Sequence, residues 1–372
     1  MLKSVQFQGY RSLRDFRMNL GRVTLVTGEN GVGKSNVYRA LEMVQRMVQG
    51  RFAAAVAREG GLPSMLWAGE LKKNEKHRAV WTVAHEDFHL SLECGMTPAA
   101  PADPSLFKTD PDIKSEVLRH GGENGKAMAT RKGPAIELRQ SDGRMSPLPL
   151  PVHATESLLS EVRDSAAYPS ISAARETILA WRFFDHFPTH PGAAIRQPSV
   201  GFWSPELDSD GGNLAANLQT LIESRRSDAL DEIFERAFPD CRWAAADEMG
   251  LFQLKLLRPG LKRWLDASEL SEGTLRFFCL AAALLSLKPA LLMVFNEPES
   301  SLHHDLLDPL AQLIARASEN SQILIVTHST ELSELISQKC EVKRIALINH
   351  EGKTIRRKDL SENGKKVWNF ED

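Results

Sequence analysis

Cysteine is scarce in this 372-residue sequence: Cys94, Cys241, Cys279 and Cys340 lie far apart and form no CxxC pair. That argues against a disulfide-stapled scaffold and against a thiolate metal site, and the four read as reduced thiols. Long apolar runs are missing as well. The longest, Leu275 to Leu287, is closed by Lys288 and Pro289, well short of the roughly 20 residues that span a bilayer. It reads instead as a buried helix followed by a buried strand. The opening, MLKSVQFQGYRSL, lacks an apolar signal core, so the expected location is the cytoplasm and no membrane partner is expected. Nor does one sign of charge dominate: 46 Lys and Arg stand against 48 Asp and Glu, a formal charge of −2. The basic excess of a dedicated nucleic-acid domain is therefore absent at whole-chain level. A local basic run (Lys72, Lys73, Lys76, Arg78) reads as a solvated face. No internal repeat and no long heptad run is present, which excludes a long coiled-coil arm.

What remains is an ordinary globular composition, 42% hydrophobic and 25% charged. A single core usually stops growing near about 250–300 residues, so one large core with an inserted or appended subdomain is expected. Val5 and Phe7 alternate with polar residues as in a half-buried strand, and Val23 to Val26 is a second, apolar strand. A helix is expected over 34–49. Residues 79–93 alternate around His85-Glu86-Asp87, as in a hairpin. The stretch 97–151 is rich in Pro and Gly and reads as loops and short strands. Helical spacing returns over 156–187, 213–224 and 228–238. From Glu269 to His328 the rhythm is helix, strand, helix, strand, as in a buried and mostly parallel sheet.

Gly28-Glu29-Asn30-Gly31-Val32-Gly33-Lys34-Ser35 fits GxxxxGK[ST]. In such a loop the glycines let backbone N–H groups wrap phosphates, Asn30, Gly31 and Gly33 among the lining positions. The following helix points its positive end at the same anion. Lys34 reaches the β- and γ-phosphates, and the Ser35 hydroxyl ligates Mg²⁺. An apolar strand before the loop and a helix after it supply the context this chemistry requires. ATP and Mg²⁺ are thus the expected cofactors.

Far downstream, the buried-strand run Leu291 to Phe295 ends at Asn296-Glu297. This is where a phosphate-loop ATPase carries its acidic pair. Glu297 is placed to polarise the attacking water. Asn296 stands where an Asp is usual; its amide oxygen can hold a metal-bound water, but it lacks the charge that favours Mg²⁺, so slow turnover is expected. Leu270-Ser271-Glu272-Gly273-Thr274 opens the helix at Leu275, and Ser271 and Gly273 there make a second anion site. Past Glu297 come Pro298-Glu299-Ser300-Ser301-Leu302-His303. A further strand, Ile323 to Val326, ends at Thr327-His328-Ser329, where the imidazole of His328 is placed to bond a γ-phosphate. His303, His304 and Asp305 could be taken for a metal cluster, but their position reads as a loop and helix start.

In this order the segments resemble Walker A, an LSGGQ-like signature (LSEGT), Walker B with its glutamate, a D-loop (ESSLH) and an H-loop histidine. The resemblance is to the ABC-type ATPase heads of RecF, the SMC proteins and the overcoming-lysogenization-defect family. The opening Phe7-Gln8-Gly9-Tyr10-Arg11-Ser12-Leu13 is similar to their N-terminal strand and turn, which implies that Arg11 lies near the nucleotide. More closely, Leu207 to Ala216 and Asn296-Glu297-Pro298-Glu299 resemble the bacterial AAA family ATPases of the AAA_21-like kind. The resemblance implies an α/β phosphate-loop fold, an ABC-type head with a mixed sheet, an antiparallel β subdomain and a helical subdomain. The expected division is an N-terminal lobe over 1–95, an inserted helical and loop subdomain over 96–240, a C-terminal lobe over 241–350 and a tail over 351–372. The Q-loop glutamine of such heads is not identifiable; Gln140 and Gln197 are both candidates.

Because one chain carries one phosphate loop and one signature, the resemblance implies a head-to-tail homodimer enclosing ATP. The reading is a slow ATPase that works as a nucleotide-driven switch for a partner, in DNA maintenance or anti-phage defence. Alternatives are a RecF-like DNA-binding repair ATPase, or the regulatory ATPase subunit of a nuclease effector. Only 44 residues follow His328, so a C-terminal nuclease domain is not expected.

Overall fold

The computed structural model describes residues 1–96, 106–148, 151–248 and 250–360. The chain divides into two compact units. One comprises 1–21, 26–181 and the chain from 344 onward; the other comprises 22–25 and 182–343.

In the first unit β1 (Leu2–Tyr10) and β2 (Leu13–Asn19) form an antiparallel hairpin with Phe7 opposite Phe16. Val5, Phe7 and Gly9 are buried with Gln6 and Gln8 less so between them, the period-two pattern of a sheet with one packed face. β3 (Val23–Thr27) runs into the glycine-rich loop and then α1 (Lys34–Val48). On α1 Val37, Leu41, Val44 and Val48 recur at helical spacing and are buried. Short helices α2 (Phe52–Arg58) and α3 (Leu62–Met65) follow. Next come β4 (Arg78–His85), β5 (Phe88–Met96), β6 (Pro111–His120), β7 (Ala127–Lys132), β8 (Ala135–Arg139) and β9 (Met145–Pro147). They build one antiparallel sheet in the order β2-β1-β4-β5-β6-β7-β8-β9. The hairpin expected around 85–87 is the β4–β5 pair. The described part of 97–151 is more regular than its Pro and Gly content implies: the glycines sit in tight turns between real strands, and β6 alone is ten residues long.

Beneath that sheet α4 (Leu158–Glu161) and α5 (Pro169–Leu179) pack against α1. A buried polar cluster joins sheet and helices. Glu116 on β6 lies opposite Arg131 on β7, and both side chains are essentially inaccessible. Glu116 accepts from Ser157 Oγ and from Leu158 N at 2.9 Å, capping α4. Arg131 donates to three carbonyl oxygens, those of Gly133, His153 and Glu156. Burial pushes the Glu116 carboxyl up to about 7 in spite of these partners.

The second unit takes up the chain again at Arg182, within β10 (Trp181–Phe184). It continues through β11 (Ser199–Val200), α6 (Leu214–Leu221), a π-helical turn over 222–226 and α7 (Ser227–Ala237). β12 (Arg242–Glu248) and β13 (Leu251–Leu257) pair antiparallel and, with β11 and β14 (Leu265–Asp266), make a small sheet. Then come α8 (Glu272–Leu284), β15 (Leu292–Asn296), α9 (Leu307–Ala317), β16 (Gln322–Thr327) and α10 (Thr330–Lys339). Within this unit β10, β15, β16 and the start of β3 are neighbours in that order, β15 and β16 running parallel with Leu292 opposite Gln322. Every α8 residue from Thr274 to Leu284 is buried. Phe278 stacks on Phe234 at 4.2 Å between centroids, and an aromatic cluster with Phe238, Trp243 and Phe277 surrounds the pair. The helix expected over 156–187 is instead α4, α5 and strand β10. The apolar spacing Ile171, Ala174, Ile178, Trp181 carries on smoothly across the break, but Trp-Arg-Phe-Phe is β-forming and takes a place in the sheet.

The chain re-enters the first unit along β17 (Val342–His350), which pairs antiparallel with β18 (Lys353–Arg356) and lies beside β3. Among the described residues no helix is long and apolar enough to cross a membrane.

Candidate functional site

The loop 28–35 joins β3 to α1, the strand-to-helix context its chemistry demands. Gly33 has φ +96°, and a Cβ there would lie 2.0 Å from Thr354 Oγ1 and 2.5 Å from Ser12 Oγ. Both a side chain's backbone preference and its volume exclude anything but glycine. Those two hydroxyls form a fixed floor. Thr354 Oγ1 donates to the Val32 carbonyl at 2.7 Å and lies 2.6 Å from Ser12 Oγ, which accepts from Asn36 Nδ2 at 2.8 Å. The Lys34 ammonium donates to the Gly28 and Glu29 carbonyls at 2.8 and 2.9 Å, so it already lies across the loop. Asn30 and Gly31 are exposed at its rim, and Ser35 is half-buried in the first turn of α1. The loop therefore offers a glycine-rich backbone, a helix N-terminus and one ammonium to a polyphosphate. Arg11, at the β1–β2 turn with φ +45°, is ion-paired with Glu59, and Arg39 lies 3.9 Å from the same carboxylate.

In the second unit Asn296 and Glu297 stand at the end of β15. Glu297 has φ +47°, a conformation that costs a non-glycine residue energy and persists only where its surroundings enforce it. The enforcement is visible: Glu297 N donates to the Val326 carbonyl at 2.7 Å, and its own carbonyl accepts from Arg276 Nη2 at 2.9 Å. His328 lies just past β16, its Nδ1 3.4 Å from Glu297 and 3.3 Å from Glu299. Carboxylates only accept, so a proton on Nδ1 would face both of them and leave Nε2 for a ligand. Glu299 is 8% exposed. It accepts from Thr327 Oγ1, His328 N and Ser329 N, and so fixes the segment carrying the imidazole.

Ser271 caps α8, accepting from Thr274 N at 3.3 Å, and is itself exposed. At Gly273 a Cβ would meet the Ser301 carbonyl oxygen at 2.4 Å. Ser301 Oγ donates to Glu272 at 2.9 Å. Hence the segment 270–274 and the segment 299–303 are packed together, backbone against backbone.

Asn296 Nδ2 donates to Asp185 Oδ1 at 2.7 Å, while Asn296 Oδ1 is buried and has no hydrogen-bond partner among the described residues. An orphaned amide oxygen at a strand end, beside a carboxylate, fits the hydration shell of a hard divalent cation.

Three residues in this geometry were not singled out from the sequence. Glu299 was legible only as part of the Asn296-Glu297-Pro298-Glu299 phrase. Asp185 and Arg276 carried no local signal. Of the two Q-loop candidates, Gln140, at the turn after β8, donates to Tyr168 Oη, and Gln197 donates to the Pro191 carbonyl. In the basic run Arg78 is paired with Glu93, whereas Lys72, Lys73 and Lys76 are exposed or half-exposed. His303, His304 and Asp305 do cluster, but all three are exposed on the loop before α9.

Residues 138–334 match the family AAA_21, described as "AAA domain, putative AbiEii toxin, Type IV TA system". The fold is that of SMC heads. It is similar to the crystal structure of an SMC head bound to the C-winged helix domain of ScpA (TM-score 0.52, 15% identity, covering 95% of this chain and 97% of that one). It is also similar to the Pyrococcus furiosus SMC head with an extended coiled coil bound to the C-terminal domain of ScpA (TM-score 0.51, 14% identity, 95% of each chain). No curated protein matches the sequence.

Proposed function

Because this chain belongs to the AAA_21 family of AAA domains and has the phosphate-loop ATPase fold of SMC heads, we propose that it binds and slowly hydrolyses Mg-ATP, dimerising head to tail when it does so. The loop 28–35 carries the reading. Its glycine-only position, pre-placed lysine and helix N-terminus together serve one purpose, holding a polyphosphate. Asn30, Gly31 and Gly33 line it, Lys34 neutralises the β- and γ-phosphates, and Arg11 exchanges Glu59 for the nucleotide. Ser35 Oγ and Asn296 Oδ1 would hold Mg²⁺, which when bound neutralises charge on the transferred phosphoryl group.

Glu297 accepts a proton from the attacking water, and its enforced backbone aims the carboxylate without further ordering. His328 bonds the γ-phosphate through Nε2, backed by the two carboxylates on its other side. Ser271 and Gly273 sit at an exposed helix N-terminus, where they serve a nucleotide held by a second copy of the chain. Hydrolysis removes that anion and the pair opens, so ATP state becomes assembly state. The partner that reads this switch is a protein effector, in DNA maintenance or anti-phage defence.

The test is calorimetry with Mg-ATP on wild type and Lys34→Ala. Binding by wild type and at least tenfold weakening in the variant are expected. Equal affinity in the two proteins would remove the loop from the site and the reading with it.

A further inference from the structure

A phosphate-loop ATPase with an amide in place of the Walker B aspartate has lost a charge where a divalent cation needs one. The missing carboxylate stands on the neighbouring strand. Asp185 is the residue after β10, and β10 lies next to β15 in the sheet. Its Oδ1 accepts from Asn296 Nδ2 at 2.7 Å. Both strand ends are pinned by one side chain: Arg276 donates to the carbonyls of Asp185 and Glu297 and contacts His186 Nδ1 at 2.8 Å. The juxtaposition is therefore built into the fold.

The pairing decides which way the amide faces. A carboxylate has only acceptors, so the NH₂ must turn toward Asp185. The oxygen is then directed away from it, and that oxygen is the buried atom without a partner. Together the two side chains present what one aspartate would: a single negative charge and one oriented acceptor oxygen.

We propose that Asp185 is a positioning residue for the hydrated Mg²⁺ of the nucleotide site, orienting the Asn296 amide and supplying the charge that Asn296 lacks. This rests on the ATPase reading above. It also changes what Asn296→Asp does. That substitution adds a second carboxylate beside the first, so metal affinity should rise above that of wild type rather than merely return to a usual value.

The 185/296 pair then carries two negative charges in Asn296→Asp, one in wild type, one in the exchanged pair Asp185→Asn/Asn296→Asp, and none in Asp185→Asn. Fluorescent ATP binding, titrated with Mg²⁺ and repeated in EDTA, reads this order directly. The Mg²⁺ concentration for half-maximal binding should rise about tenfold in Asp185→Asn, or about 1.4 kcal/mol. It should return to within about threefold of wild type in the exchanged pair. Binding in EDTA should be unchanged throughout, and equal melting temperatures would show that the fold is intact. An Asp185→Asn protein with the wild-type Mg²⁺ dependence overturns the proposal, as does an exchanged pair no better than Asp185→Asn. If wild type binds no nucleotide at any Mg²⁺ concentration, the ATPase reading itself has failed; if it binds and only the Mg²⁺ order is wrong, that reading survives.

Discussion

The guanidinium of Arg276 donates to the carbonyl oxygen of Glu297 at 2.9 Å. Arg276 lies on α8, the helix that Ser271 caps, so one buried side chain joins the signature segment to the residue expected to handle the attacking water. A lysine in its place keeps the charge but not the fork of donors. Arg276→Lys should lower kcat at least tenfold with ATP affinity changed less than threefold. Losing two or three charge-assisted bonds should cost about 2 kcal/mol in stability. Steady-state kinetics beside a melting curve decide it; a variant with wild-type kcat shows that Glu297 needs no such brace.

Blocking hydrolysis should trap the assembled state. Glu297→Gln should bind ATP, fail to cleave it and accumulate as a dimer. Ser271→Arg, at the exposed start of α8, should bind ATP yet stay monomeric and inactive. Light scattering after gel filtration, with and without ATP, reads both variants. A Glu297→Gln protein still monomeric at saturating Mg-ATP contradicts the head-to-tail arrangement.

A methyl group at position 273 would press on the Ser301 carbonyl from 2.4 Å. Backbone cannot swing aside as a flexible side chain does, so Gly273→Ala must push the segments 270–274 and 299–303 apart. Turnover should fall at least tenfold while ATP binding to the isolated chain is retained, measured by the same calorimetry. Full ATPase activity in this variant would show that the two segments need not stay in register.

Glu116 supplies a prediction in pH. Its folded-state carboxyl lies near 7, raised by burial above the ordinary value of 4.5. The folded protein thus holds a proton that the unfolded chain releases. This contribution is complete below about pH 4.5 and is lost as pH rises through 7. Glu116→Gln, which mimics the protonated acid, should match wild type near pH 5 and be the more stable protein at pH 8.5. The gap should be on the order of 3 kcal/mol, since a shifted pKa unit is worth about 1.4 kcal/mol. Thermal unfolding across pH 5–8.5 tests this; a constant gap would mean that Glu116 is ionised throughout, stabilised by Arg131.

Features written in consecutive residues were readable before the fold was known. The strand, glycine loop and helix around Lys34 are one continuous phrase, and the hairpin at 78–96 declares itself by alternation. The helix start at Ser271 follows from its capping chemistry, and α8 from the apolar run that follows it. Asp185 was hidden because its meaning comes from Asn296, 111 residues away, through the adjacency of β10 and β15. Arg276 was hidden for the same reason, since its acceptors lie on segments distant in sequence. The strands β6 to β9 were obscured by their own turns, whose glycines and prolines dominate the composition while short strands alternate weakly between them.

Thr354 Oγ1 bonds the carbonyl of Val32 across 322 positions of sequence. During synthesis the residues 28–35 leave the ribosome early, but the floor beneath them does not exist until β18 has emerged. A nascent chain halted before residue 354 should therefore fail to retain ATP, even though its whole Walker A sequence is already outside the tunnel. With ATP-driven pairing as proposed above, nucleotide capture would then act as a late checkpoint: a chain abandoned part-way would expose no finished phosphate site with which to recruit a full-length partner.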